Sequence, residues 1–114
     1  MNAEPYVPRR GDVVWITPAP QAGHEQATRR PAVVLSPQEY NARTGLAVLC
    51  PVTGQVKGYP FEVRLPAGLP VTGAILSDQV RSLGWRALSG ELICRLPGEV
   101  TSEVLARLST LLAR

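Results

Sequence analysis

From Gly11 to Leu96 the apolar residues fall in short, β-rich runs that Gly and Pro keep interrupting. Runs of that length between turn residues predict strands, and leave no room for a long helix. Strands are expected over residues 12–17, 32–36, 46–52, 60–65, 73–80 and 91–95, with helical turns over residues 37–44 and 84–88. After Pro97-Gly98 the spacing changes. Val100, Val104, Leu105, Leu108, Leu111 and Leu112 fall at helical intervals and make one apolar stripe, so a helix of about four turns is expected to pack on the sheet or to help form a dimer. The pattern is that of a mainly β fold, a small, strongly curved sheet or β-barrel with short helices and a C-terminal helix.

Length and composition narrow this picture. A chain of 114 residues suits one domain over residues 1–114, large enough for a core and too small for two. The Pro-rich stretch 66–70 lies between expected strands, so it reads as a loop and not as a linker. A formal charge of +3 is a modest excess, compatible with a local patch that meets an anion. Cys50 and Cys94 both lie in apolar runs, which predicts two reduced, buried thiols. No basic segment followed by an apolar one opens the chain, and no apolar run is long enough to span a bilayer, so a soluble, cytoplasmic protein with no membrane partner is expected.

The candidate chemistry clusters around Arg30. Pro31 forces the residue before it into an extended conformation, so Arg30 is mounted at the mouth of an apolar strand. If the next strand, 46–52, pairs antiparallel with it, Arg30 comes near Thr53, and the loop that follows brings Gln55, Lys57 and Tyr59 to the same edge. Upstream, Gly23-His24-Glu25 can bend a carboxylate and an imidazole towards that edge, with Arg29 beside them. No nucleophilic triad, Cys–His pair, phosphate loop or metal-ligand spacing is present, and a lone histidine argues against a zinc site. A base, a cation and a hydroxyl suit transesterification of RNA, in which the 2′-hydroxyl is its own nucleophile and no metal or cofactor is needed. On composition alone, Glu25 and Arg30 read as a surface ion pair, Thr53 as a strand-end hydroxyl, His24 as a solvated loop residue, and Trp15 and Trp85 as core or interface.

Four ordered motifs then add to this reading. Gly11-Asp12-Val13-Val14-Trp15, Arg30-Pro31-Ala32-Val33-Val34-Leu35-Ser36-Pro37, Lys57-Gly58-Tyr59-Pro60-Phe61-Glu62-Val63 and Asp78-Gln79-Val80-Arg81-Ser82 resemble, in order and spacing, the MazF/PemK family of toxin endoribonucleases. The resemblance runs from about Tyr6 to the C-terminal helix. It implies an SH3-like barrel of the MazF/CcdB/Kid toxin type, assembled as a homodimer, that cuts single-stranded RNA without metal and leaves a 2′,3′-cyclic phosphate and a 5′-hydroxyl. It implies arrest of translation, and a MazE-like antitoxin whose disordered acidic C-terminal segment blocks the RNA site. Arg30 and Thr53 fall on the family's catalytic positions, with Glu25 as the corresponding acid/base residue. His24, Arg29, Gln55, Lys57, Tyr59, Asp78, Gln79 and Arg81 are the expected substrate-binding set. His24 stands where close members have Ser, which leaves both Glu25 and His24 as candidates for the base. Gly54 stands where they have a second Thr or another small residue. A gyrase-poisoning toxin of the same fold and a non-catalytic RNA-binding barrel are the alternatives. The gyrase-poisoning branch depends on a tryptophan near the C-terminus, where this chain reads Leu111-Leu112-Ala113-Arg114.

Overall fold

A computed structural model describes residues 6–16, 29–85 and 91–112. The elements are β1 (Asp12–Ile16), β2 (Arg30–Val34), α1 (Gln38–Thr44), β3 (Leu46–Thr53), β4 (Glu62–Arg64), β5 (Ala74–Leu76), β6 (Arg81–Gly84), β7 (Glu91–Arg95) and α2 (Gly98–Leu112). All ladders are antiparallel, and the sheet runs β4-β5-β3-β2-β1-β7 with β6 also on β3. The expected mainly β architecture with a C-terminal helix is what forms. Its sheet is barrel-like, although among the described residues no ladder joins β4 to β7.

The organising strand is β3. One edge pairs with β2, in the register Ala32↔Pro51, Val33↔Cys50 and Val34↔Leu49. The other edge carries two short strands in tandem, β6 over Leu46 to Leu49 and β5 at Val52 and Thr53. Pro51, which has no N–H to donate, falls in the gap between those two ladders.

Here the structure corrects the expected elements. The single strand expected over residues 73–80 stops at Leu76. Buried Ser77 gives its N–H (3.0 Å) and its hydroxyl (2.5 Å) to the Phe61 carbonyl, and Gln79 N–H closes a turn on Leu76 O at 3.1 Å. The chain emerges as β6, where Gly84 ends a strand instead of starting a helical turn; residues 86–88 of that expectation lie outside the described residues. β2 begins two residues earlier than expected because Arg30 already pairs with Ile16 of β1. β4 is shorter than expected, since Glu62 N–H bonds back to Tyr59 O across a turn.

Alternation along the inner strands splits their side chains between two cores. Val13, Val33, Cys50, Val52 and Ile75 face α2, which buries Val104 and Leu108 against them and lays Val100 and Leu105 alongside. Val14, Ala32, Val34, Ala47 and Leu49 face the other way and are closed by Trp85, with Tyr6, Val7 and Leu83 packed around it. The stripe of α2 outruns the sheet, so Leu111 and Leu112 are 52% and 74% exposed and add nothing to the core. Cys50 is buried as expected, its thiol pushed up to about 12 by burial and by Asp78, while Cys94 is only half-buried and is raised by burial; both are free. Among the described residues no helix is long and apolar enough to cross a membrane.

A buried polar hub joins α1 to the sheet. Asn41, fully buried, accepts the Ser36 hydroxyl at 2.6 Å and donates its amide to Pro8 O at 2.8 Å and to Ser36 O at 3.2 Å. Ser36 Oγ accepts Val48 N–H of β3 at 2.8 Å, and the Trp85 indole donates to the Asn41 carbonyl at 3.0 Å. Removing one member strands the others without water. Asn41→Ala is therefore expected to cost about 2–4 kcal/mol of stability, read from equilibrium denaturation, whereas an unchanged midpoint would show that the hub is dispensable.

Candidate active site

The register of β2 and β3 builds the site. Continuing Ala32↔Pro51 by two residues brings Arg30 opposite Thr53. Both line an open cleft of about 490 Å³, with Pro31, Val52, Gly54 and Gln55. Pro31 keeps Arg30 extended, and the Arg30 side chain is exposed to solvent. Thr53 is half-buried; its Oγ1 accepts the Gln55 N–H at 3.1 Å, which leaves the hydroxyl proton free to be donated. Among the described lining residues the one charged group is the Arg30 guanidinium.

Thr53 is positioned from behind by β5, with Ala74 as its ladder partner. A Cβ on Gly73, whose φ is +122°, would meet the Thr53 carbonyl oxygen at 2.0 Å, so only glycine admits this approach. Nothing in the sequence sets Gly73 apart from the other turn glycines, and its role becomes visible only when β5 lies against β3.

The remaining expected site residues divide into groups. Arg29 sits one step outside the cleft, with its guanidinium 4.7 Å over the Trp15 ring and 3.3 Å from Glu91 of β7. Trp15 is half-buried beneath that cation, and Trp85 belongs to the core. Gln55 lines the cleft; Lys57 and Tyr59 follow it on the same loop with exposed side chains. Asp78, Gln79 and Arg81 are not among the described residues that line the cleft. They occupy the turn before β6 and its first residue, where Arg81 lies opposite Leu49, four residues and about 13 Å along β3 from Thr53. His24 and Glu25 lie outside the described residues.

Two acidic residues hold this region although sequence reasoning gave them no role: Glu91, paired to Arg29, and Glu62. The Glu62 carboxylate accepts Lys57 N–H on both oxygens at 3.1 Å and Gly58 N–H at 2.8 Å. A lone carboxylate inside the apolar run Phe61-Glu62-Val63 was the signal available for it.

Chemically, the cleft offers a permanent cation and a hydroxyl donor side by side, which suits an anionic ester more than a carbonyl. Among the described residues no group of His, Cys, Asp and Glu could hold a metal ion. The neutral Cys50 thiol lies in the core and is no nucleophile. Residues 9–112 match the model of the PemK-like, MazF-like toxin of type II toxin–antitoxin systems.

The chain belongs to the PemK/MazF toxin family.

Within that family it is 54% identical over 82 residues to the endoribonuclease toxin MazF of Escherichia coli K12, covering 72% of this chain and 73% of the relative. It is 36% identical over 107 residues to the endoribonuclease PemK of E. coli, covering 90% and 80%. A crystal structure of MazE–MazF from Deinococcus radiodurans superposes with a TM-score of 0.91 at 54% identity, covering 95% of this chain and 97% of that one. The cleft of this PemK/MazF toxin thus rests on a register and on a glycine. Gly73→Ala is expected to cost about 3 kcal/mol through backbone strain and overpacking against Thr53. Gly54→Ala, where an added Cβ meets nothing within 4 Å, should change stability by less than about 0.5 kcal/mol in the same denaturation experiment.

Proposed function

We propose that this chain, an endoribonuclease toxin of the PemK/MazF type, cleaves single-stranded RNA by metal-independent transesterification and so arrests translation. The observation that carries the reading is the shared cleft of Arg30 and Thr53, open to solvent and lined by a cation and a hydroxyl. The endoribonuclease relatives at 54% and 36% identity support the substrate class.

In this mechanism a base takes the proton of the ribose 2′-hydroxyl, O2′ attacks the adjacent phosphorus, and the P–O5′ bond breaks. The products are a 2′,3′-cyclic phosphate and a 5′-hydroxyl. Arg30 neutralises charge building on the non-bridging phosphoryl oxygens and hands a proton to the departing O5′; Thr53 donates its hydroxyl to one of those oxygens. Glu25 is the base, with His24 as its rival, and Arg29, Gln55, Lys57 and Tyr59 contact flanking nucleotides. The nucleophile belongs to the substrate, so no step needs a metal or cofactor. The toxin acts as a single domain over residues 1–114, as a cytoplasmic homodimer, and is blocked by a MazE-like antitoxin with an acidic segment; the MazE–MazF complex of D. radiodurans supports that partner.

Arg30→Ala is expected to slow cleavage of a long single-stranded transcript in EDTA by about 10²–10⁴-fold, and Thr53→Ala by about 10²-fold. Near-full cleavage by either variant would sink the assignment. To identify the base, Glu25→Ala and His24→Ser are compared on the same transcript. Loss of cleavage in the first alone supports Glu25, and loss in the second alone transfers the role to His24.

A further inference from the structure

The loop between β3 and β4 begins in the cleft and is tied down by groups that the chemistry above does not use. Glu62, only 9% exposed, makes no ion pair among the described residues; its carboxylate is satisfied by the backbone N–H groups of Lys57 and Gly58 alone. A buried carboxylate without a cation is a costly way to fill space, since an apolar side chain would pack there at no desolvation cost. What it provides is an acceptor for two successive N–H groups, a nest that requires one residue in the left-handed region. Gly58 supplies it at φ +83°, and an added Cβ there would meet nothing within 4 Å, so that glycine serves conformation and not space. At the far end of the loop, Arg107 of α2 donates to the Pro60 carbonyl and is itself held by Glu103 at 2.6 Å. The Tyr59 ring, 45% exposed, stands out from this fixed backbone without contributing to either core.

We infer that Glu62 is a positioning residue for the substrate groove: it fixes the wall that carries Gln55, Lys57 and Tyr59 beside the Arg30–Thr53 cleft, and so sets RNA affinity and site choice more than the rate of the chemical step. The inference rests on the RNA-cleaving reading. The link to the cleft is short, because Gln55 lines it and its N–H is bonded to the Thr53 hydroxyl.

The test compares wild type, Glu62→Ala, Glu62→Gln and Gly58→Ala. It measures kcat and KM on an RNA oligonucleotide containing one cleavage site, the distribution of cuts on a long transcript, and amide hydrogen exchange at residues 57 and 58. Glu62→Ala is expected to speed exchange at both amides, to raise KM by about 10-fold, to leave kcat within about 3-fold, and to broaden the cut sites. Glu62→Gln keeps an oxygen placed to accept both N–H groups and should recover most of the KM. Gly58→Ala leaves Glu62 intact and should reproduce the KM effect. Faster exchange with unchanged KM and unchanged cut sites overturns the inference, as does a loss of kcat with KM preserved. Where Glu62→Ala does not fold, Gly58→Ala decides: unchanged KM overturns the proposal. A wild-type protein that cuts no RNA refutes the functional reading itself, an outcome distinct from any difference among the variants.

Discussion

A one-residue slip between β2 and β3 would turn Val33 out of the α2-facing core and exchange the two sets of buried side chains. Apolar burial on both faces of these strands therefore fixes their register, and the register is what brings Arg30 opposite Thr53. The site is thus an outcome of core packing. Neither polar residue has to find the other, because the free energy that aligns them comes from Val33, Val34, Leu49, Cys50 and Val52.

Around that frame, buried polar side chains act as clips on irregular backbone. Asn41 and Ser36 hold α1 and the segment at Pro8 to β3. Asp12, 1% exposed, accepts the Tyr6 hydroxyl, the Arg9 N–H at 3.0 Å and the Arg95 guanidinium at 3.2 Å, which fastens the chain before β1 to β7. Burial, with the Asp12 carboxylate next to it, raises the Tyr6 phenol far above its ordinary range, so this hydroxyl remains a donor at any physiological pH. Glu62 does the same work for the loop beside the cleft. In each case a carboxylate or amide serves main-chain groups that no strand or helix partner satisfies.

Much of this was legible in the sequence. Arg30-Pro31 followed by an apolar run gave a mounted cation, and the antiparallel return of residues 46–52 brought Thr53 to it. The apolar spacing after Pro97-Gly98 gave α2, although it carried no information about where the sheet beneath it ends, which is why Leu111 and Leu112 were read as part of the stripe. β6 escaped because Arg81 and Ser82 are polar and exposed and Leu83 alone signals a buried face; its strand character comes from the free edge of β3. Asp78, Gln79 and Arg81 were expected at the substrate surface from a motif; in the fold they form the turn before β6 and its first residue, with Arg81 opposite Leu49 of β3. Gly73 and Glu62 matter through contacts between segments, which no local pattern encodes.

The pairing of β1 with β7 sets an order of events in time. β1 has its second ladder partner only once residues 91–95 exist, and the core holding Val13, Val33 and Cys50 is covered only when α2 follows. A nascent chain that has already produced the described residues lining the cleft still has an open apolar face and an unpaired strand edge. Assembly of the cleft during synthesis therefore waits on a C-terminal segment that supplies none of its lining among the described residues.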